Sequence, residues 1–275
     1  MKKSACENFK KYRTAAGILL VGIALYQLAG IEMEYRKGTD FYSDIEHAVT
    51  AVASSGKEDT ETDDAKEDAG KEPAEERASE DTANYRDFMV DFEALKRINA
   101  DIVGWIRFDK NGINYPLLQG EDNEEYLYRM ADRTENKAGS IFLDCLCAPD
   151  FSDLHTIIYG HNMRDLSMFG ELKKYGTNQG YFQENSCFTI YTQENIFRYA
   201  VFAWYEANAD DTVYQVGFTE DTVYQEFVEA MLRRRYKDTE ITAGRTDRIV
   251  TLSTCTSVGR RFVVHGKLLE QLSWE

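Results

Sequence analysis

The sequence predicts a mainly β fold, in which about eight short strands close into a barrel and helices pack around it. From residue 85 onward, short runs of β-branched and aromatic residues alternate with turn residues, a pattern typical of many brief strands. Helical periodicity occurs in only two parts of this region, residues 85–99 and 219–236. With 43% hydrophobic and 13% aromatic residues, the chain has enough apolar surface for a real core.

The predicted strands are short, and several end at clear turn signals. Asp-Lys-Asn-Gly at 109–112 and Gln-Glu-Asn at 193–195 supply two of these turns. The last two strands are joined by a hairpin-length loop, residues 256–260, that contains Gly259. In chain order the predicted strands are 103–108, 114–119, 140–143, 156–159, 187–191, 197–206, 249–255 and 261–268.

Two amphipathic helices are predicted, one before the first strand and one between late strands. In the first, Phe88, Phe92, Leu95 and Ile98 recur at intervals of three or four residues, which places them on one helical face. In the second, apolar residues repeat every four positions after a capped start near Thr219.

The N-terminal region contains a basic tail followed by an apolar segment. Residues 14–31 include no charged residue, and residues 1–13 before them are rich in Lys and Arg. This pattern predicts a single transmembrane anchor at the cell membrane, with the N-terminus in the cytoplasm and the rest of the chain outside. A cleaved signal peptide is the alternative, although Gln27-Leu28-Ala29 is a poor cleavage site.

Residues 32–84 are predicted to be an acidic, largely disordered linker that leads to a folded catalytic domain, residues 85–275. Within this linker, residues 57–81 contain twelve acidic and four basic residues but no aromatic residue and no Ile, Leu or Val. Such a stretch buries too little apolar surface to offset the entropy cost of ordering. It carries −8 of the net charge of −16, and this acidic balance argues against nucleic acid as a partner.

Three residues with catalytic chemistry are expected at strand ends. Cys255 ends one strand and Arg261 begins the next, so antiparallel pairing would place the thiol opposite the guanidinium. A fixed positive charge favours the thiolate and can hold an oxyanion. His161 follows the strand 156–159 on a loop, where catalytic groups tend to lie. The three side chains are therefore predicted to meet at one rim of the barrel, and the adjacent Arg260 is the alternative arginine.

The other cysteines have plainer interpretations. The chain has five cysteines, an odd number, and their spacing is not that of a disulfide-stapled scaffold. Cys187 lies in an apolar run and is predicted to be a small core residue. Cys145, Cys147 and His155 are close in sequence, but no pair of them has the spacing of a structural zinc site. No metal or other cofactor is expected.

Several motifs closely resemble those of sortases, and in particular those of class B. They are NADIVGWI at 99–106, YPLLQG at 115–120, GSIFLD at 139–144, YGHNM at 159–163, SMF at 167–169, TLSTC at 251–255 and RFVV at 261–264. They follow the family's order over residues 85–272. The resemblance implies the sortase barrel with a helix between late strands, and it implies that His161, Cys255 and Arg261 are catalytic.

The resemblance also implies a membrane-anchored cysteine transpeptidase. In such an enzyme Cys255 attacks a peptide carbonyl, Arg261 stabilises the oxyanion and His161 transfers protons. The implied donor is a secreted protein with a C-terminal sorting signal of the Asn-Pro-x-Thr-Asn type, cleaved after Thr. The implied acceptor is an amino group of a peptidoglycan precursor or cross-bridge. Ser253 and Thr254 are candidates for shaping the substrate pocket.

Three other functions fit parts of the sequence. A pilus-assembling sortase would use a lysine of another protein subunit as its acceptor, and the sequence does not distinguish between the two acceptors. A papain-like protease would place its cysteine before its histidine, whereas this chain has the histidine first. A non-enzymatic surface domain would keep the anchor and linker but would need no reactive thiol.

Overall fold

The computed structural model describes residues 2–50, 85–257 and 259–274, with the side chains of all of these except 2–16, 18, 50 and 257. The strongly acidic stretch 57–81 of the predicted linker lies outside the described residues. The strands are β1 (Ile102–Arg107), β2 (Asn114–Leu118), β3 (Ile141–Leu143), β4 (His155–Tyr159), β5 (Cys187–Tyr191), β6 (Asn195–Asn208), β7 (Ile249–Ser257) and β8 (Arg260–Ser273).

These strands close into a barrel in the order β1-β2-β3-β4-β7-β8-β6-β5, with β5 returning to β1. The pairs β2–β3 and β4–β7 are parallel, and the other neighbours are antiparallel. The predicted fold class is confirmed. β6 and β8 are longer than predicted because they pair with each other along nearly their whole length, which satisfies their backbone groups beyond the apolar runs.

The helices are α1 (Lys2–Thr50), α2 (Phe92–Ile98), α3 (Lys174–Thr177), α4 (Tyr181–Glu184) and α5 (Asp221–Arg234), with 3₁₀ turns at Gly170–Lys173 and Thr212–Tyr214. α5 lies between β6 and β7 in the chain, as predicted. Its buried residues Tyr224, Phe227 and Val228 belong to a hydrophobic cluster with residues of β6. This cluster covers the outer face of the barrel on that side.

Within the predicted helix at 85–99, α2 forms over Phe92–Ile98 and residues 85–86 are also helical, while residues 87–91 are not. Asp91 caps the N-terminus of α2, where the side-chain oxygen accepts a hydrogen bond from the backbone N–H of Ala94 at 2.8 Å. Before this cap, Tyr85 and Phe88 are buried without being part of α2, and the guanidinium of Arg107 lies 4.5 Å above the Phe88 ring. Phe88, Phe92 and Leu95 are buried as their spacing predicts, whereas Ile98 is exposed, and the cap at Asp91 sets where α2 begins.

α1 continues through the first part of the predicted linker, to Thr50. Tyr42, Ile45 and Val49 are spaced three and four residues apart, and all three are buried in the main hydrophobic core. Residues 32–50 therefore differ from the disordered linker predicted for residues 32–84. Within the described part of the chain, no helix is apolar over a length sufficient to cross a membrane.

Candidate active site

The hairpin of β7 and β8 places Cys255 directly opposite Arg261. The two residues are register partners, and the turn that joins the strands includes Gly259 with φ of +73°. The strands extend to Ser257 and from Arg260, so the connecting turn is shorter than the predicted loop 256–260. The predicted juxtaposition of thiol and guanidinium is present.

Arg260 and Arg261 are adjacent in β8 and have different surroundings. Arg261 lines the same cavity as Cys255. Arg260 forms an ion pair with Glu206 at 2.8 Å and donates a hydrogen bond to Asn208 at 3.1 Å. Because successive side chains of a strand point to opposite faces, only one of the two arginines can face the thiol.

His161 reaches the same rim through the parallel pairing of β4 with β7. Tyr159 is the register partner of Ser253, so His161 and Cys255 each lie two residues beyond a matched pair. The backbone N–H of Gly160 donates to the Ser253 carbonyl at 3.1 Å and continues this alignment. A Cβ at position 160 would lie 2.5 Å from Ile141 Cδ1 and 2.7 Å from the Phe169 ring, so any larger residue would have to displace both side chains.

The ring of His161 is held by the segment between β2 and β3. Its Nε2 lies 2.6 Å from the carbonyl oxygen of Leu127, and its ring packs against Tyr128 with centroids 5.4 Å apart. A carbonyl only accepts hydrogen bonds, so Nε2 carries the proton and Nδ1 is left for proton transfer. Burial lowers the pKa of His161, the Leu127 carbonyl opposes this shift, and Arg261 adds to it.

One cavity of about 190 Å³ brings the predicted site residues together. Its lining consists of Asn123, Leu127, Phe142, Tyr159, Gly160, His161, Ser253, Thr254, Cys255 and Arg261. Ser253 and Thr254 are each 1% exposed, and they contribute to the wall beside the thiol. The Ser253 hydroxyl lies 2.9 Å from that of Tyr214, while the Thr254 hydroxyl has no hydrogen-bond partner within the described residues.

Other side chains hold the strand ends around the cavity in place, and their roles were not predicted from the sequence. Asn162 donates from Nδ2 to the Cys255 carbonyl at 2.8 Å and thereby ties the histidine loop to the end of β7. Tyr159 and Asn123 both donate to the buried carboxylate of Asp144, at 2.8 and 2.9 Å. Asn162 and Tyr159 stand beside His161 in sequence, but Asn123 comes from a distant segment that carries no local signal.

Two further histidines of the barrel, His155 and His265, lie away from this cavity. His155 and His265 are buried, and the hydroxyl of Thr251 bridges them, at 2.7 Å from His155 Nε2 and 2.8 Å from His265 Nδ1. His155 Nδ1 also lies 2.7 Å from the Gln215 carbonyl. Both ring nitrogens of His155 are therefore occupied by protein groups, and the ring is not free to join Cys145 and Cys147 at a metal.

A wider depression of about 1160 Å³ lies beyond Tyr128. It is rich in charged side chains, and several of them pair within it, including Arg133 with Asp101 at 2.7 Å and Lys137 with Glu34 at 2.7 Å. Such exposed pairs are ordinary solvated surface. The smaller cavity, which holds the thiol, the imidazole and the guanidinium together, is the candidate active site.

This fold and site match known proteins. Residues 106–269 match the family model described as the sortase domain. Sortase B of Listeria monocytogenes is 34% identical over 179 residues, which are 64% of this chain and 72% of that protein. Sortase B of Staphylococcus aureus is 32% identical over 183 residues, which are 65% of this chain and 75% of that protein.

Solved structures agree with these matches. The crystal structure of sortase B from Bacillus anthracis in complex with AAEK1 superposes with a TM-score of 0.69 at 30% identity, covering 87% of this chain and 100% of that one. The Staphylococcus aureus sortase B–substrate complex superposes with a TM-score of 0.68 at 26% identity, covering 86% and 99%.

The match to the family model, together with the identity to curated relatives, shows that the chain belongs to the sortase family, in its class B. It is accordingly a cysteine transpeptidase, as the sequence motifs predicted. The family acts on sorting signals and is associated with the cell surface.

Proposed function

We propose that this chain cleaves an Asn-Pro-x-Thr-Asn-like sorting signal after Thr and transfers the protein to an amino group of peptidoglycan, using Cys255, His161 and Arg261. The observation that carries the proposal is the single cavity lined by all three side chains, with Cys255 opposite Arg261 in register. Ser253 and Thr254, on the wall beside the thiol, would help to shape the pocket for the signal.

In the first half-reaction, the thiolate of Cys255 attacks the carbonyl carbon of the Thr residue and forms a C–S bond. The carbonyl oxygen becomes an oxyanion, which the guanidinium of Arg261 stabilises. When the intermediate collapses, the C–N bond breaks and His161 gives a proton to the departing amine. Because Leu127 holds Nε2, this proton comes from Nδ1.

The second half-reaction reverses these roles with a new amine. The amino group of the wall peptide attacks the thioester, and His161 Nδ1 accepts the proton that this nitrogen loses. The C–S bond then breaks, and the thiolate of Cys255 is restored. Because burial lowers the pKa of His161, the free ring is neutral, and it takes the proton of the Cys255 thiol as the attacking thiolate forms. The resulting imidazolium is a strong acid towards the first leaving amine, and the ring is neutral again when the second amine arrives.

The cellular location forms part of the proposal. Residues 14–31 would anchor the chain in the cell membrane as a single span, with the N-terminus in the cytoplasm and the catalytic domain outside. This part of the proposal rests mainly on the sequence, since no helix of the described residues meets the length and apolarity of a span. The support is the absence of charged residues from this segment, the basic residues before it, and the exposure of its apolar side chains, including Leu19, Leu20 and Leu25. The donor would then be a secreted protein that carries the sorting signal.

Intact-protein mass spectrometry tests the assignment. The chain is incubated with a peptide that contains an Asn-Pro-x-Thr-Asn signal, and a thioester adduct is expected on the wild-type protein. Cys255→Ala should form no adduct, because it lacks the nucleophile. Cys145→Ala is the matched control, since Cys145 is a partly exposed free thiol outside the cavity, and it should keep the adduct.

Addition of a peptidoglycan stem peptide with a free amine should release the adduct as the amide product. An adduct that persists in Cys255→Ala, or a wild-type protein that forms none, would contradict the proposed function.

A further inference from the structure

The docked part of α1 contacts a segment that supports His161. Tyr42 is 3% exposed, and its hydroxyl donates a hydrogen bond to the Gly139 carbonyl at 2.7 Å and lies 3.0 Å from the Ser140 hydroxyl. Burial raises the pKa of Tyr42, which keeps the hydroxyl protonated and able to donate. This hydrogen bond links the N-terminal helix to the chain just before β3.

Gly139 lies against the carbonyl group that holds His161. Its φ is +57°, and a Cβ at this position would lie 2.3 Å from the Leu127 carbonyl oxygen. Next to it, the Ser140 backbone N–H donates to the Tyr126 carbonyl at 3.0 Å, and the Ser140 hydroxyl donates to the Arg129 carbonyl at 2.7 Å. The backbone on both sides of Leu127 is therefore fixed by the two residues that Tyr42 contacts.

A second route connects Tyr42 to the backbone of His161. The Tyr42 ring packs edge-on against the Tyr115 ring, with centroids 5.4 Å apart and planes at 86°. The Tyr115 hydroxyl accepts a hydrogen bond from the Met168 N–H at 3.1 Å. Met168 is bridged to Asn162, and the N–H of the following residue donates to the His161 carbonyl at 2.9 Å.

We propose that Tyr42 is a positioning residue for His161: through Gly139 it holds the Leu127 carbonyl that selects the Nε2–H tautomer, and through Tyr115 it supports the histidine loop. The proposal rests on the proposed function for the role of His161. It assigns to the docked part of α1 a part in the chemistry, in addition to any part that α1 has in anchoring.

Tyr42 would affect the reaction because proton transfer requires that the His161 ring be held in one position and in one tautomer. A neutral imidazole carries its proton on either nitrogen, and a hydrogen bond to one nitrogen decides which. Displacement of a reacting group by about 1 Å can cost as much as roughly 100-fold in rate. The titratable groups that face His161 are Tyr128 against its ring and Cys255, Arg261 and Tyr159 on the cavity wall.

The test uses Tyr42→Phe in the 275-residue chain, which removes the hydroxyl and keeps the ring against Tyr115. Tyr26→Phe is the matched control, because Tyr26 lies on the same helix and is 81% exposed. Nitrogen NMR of the chain labelled with ¹⁵N-histidine reports the tautomer, and the His161 signals are identified by their loss in His161→Gln. Turnover of the sorting-signal peptide gives kcat and KM.

We expect wild type and Tyr26→Phe to show the Nε2–H tautomer of His161, and Tyr42→Phe to show a mixture of tautomers. The kcat of Tyr42→Phe should fall about fivefold or more, with KM unchanged within about twofold, because peptide binding does not require a fixed imidazole. An unchanged tautomer overturns the proposal, whether kcat falls or not, since a loss of stability alone would lower activity without changing the tautomer.

The two proposals fail in different ways. The tautomer is read without substrate, so an adduct that persists in Cys255→Ala would remove the proposed function and leave the tautomer result standing. An unchanged tautomer in Tyr42→Phe, with the adduct confined to Cys255, would remove only the role of Tyr42.

Discussion

At the scale of single residues, neighbours decide which of two adjacent arginines can serve the thiol. Arg261 is held by a hydrogen bond from Nη1 to the Arg260 carbonyl at 3.2 Å and lies on the cavity wall. Arg260 lies on the other face of β8, where Glu206 and Asn208 bind its guanidinium. The strand alternation that separates them follows from the register of the hairpin, so one residue of slippage would exchange their positions.

Glutamine substitutions at the two positions should therefore have unequal effects on turnover. Arg261→Gln removes the cation opposite Cys255 and should lower kcat for the sorting-signal peptide by about 100-fold or more, as the loss of an oxyanion donor typically does. Arg260→Gln removes an exposed ion pair outside the cavity, so it should leave kcat nearly unchanged and alter stability by about 1 kcal/mol or less. Steady-state kinetics on both variants decides the assignment, and a large loss confined to Arg260→Gln would reverse it.

At the scale of elements, β4, β7 and β8 share a buried polar chain beneath the catalytic rim. The Gln215 carbonyl fixes the proton of His155 on Nδ1, so Nε2 accepts from Thr251, whose oxygen accepts from His265 Nδ1. Burial lowers the pKa of His155 to about 4, and burial together with His155 and Arg234 holds the pKa of His265 well below its usual range. Both rings are therefore neutral in the folded protein.

The buried His155–Thr251–His265 network predicts that the protein loses stability in mild acid. His155 is protonated near pH 6.5 in the unfolded protein but only near pH 4 in the folded protein. Between these two values the unfolded state binds the additional proton, so the free energy of unfolding falls as the pH drops from 6.5 to 4. Between pH 7 and pH 4.5 the contribution of His155 to the free energy of unfolding changes by about 2.4 kcal/mol. The free energy of unfolding, measured with urea at pH 7 and at pH 4.5, should differ less between the two pH values for His155→Gln than for wild type.

His47→Gln is the control for this measurement, because His47 is exposed on α1 and should leave the difference between the two pH values unchanged. Equal pH differences in wild type and His155→Gln would show that His155 is not neutral in the fold.

Local patterns in the sequence predicted the elements well where hydrophobic periodicity and turn residues act within a few positions. The register of Cys255 with Arg261 was predictable because a short hairpin fixes its own pairing. The contact of His161 with the Leu127 carbonyl was not, because a backbone oxygen has no sequence signature and the segment 121–135 reaches the site only through tertiary packing. The capping of α2 by Asp91 likewise replaced a longer predicted helix, because Asp91 lies inside the apolar repeat.

At the scale of the whole molecule, α1 has two parts with different surroundings. Its residues 19–33 expose many apolar side chains, whereas Tyr42, Ile45 and Val49 are buried in the main hydrophobic core. Further contacts join the second part to the domain, including Glu46 with Asn114 at 2.8 Å and the Glu34 carbonyl with Asn136 at 3.1 Å. A folding unit that begins at residue 85, as the sequence predicts, would lack this covering helix.

Two truncations of the chain should separate these parts. A chain that begins at Glu32 lacks the proposed anchor, so it should leave the membrane fraction and keep the Tm of the 275-residue protein. A chain that begins at residue 51 also loses three buried side chains, each worth about 1.5–3 kcal/mol of burial before the entropy of ordering is subtracted. Its Tm should fall by about 5 °C or more, and its turnover should also fall, because His161 would lose the support that Tyr42 provides.

Equal Tm values for the two truncated chains would contradict the docking of α1. A chain from Glu32 that stays with the membrane would contradict the anchor.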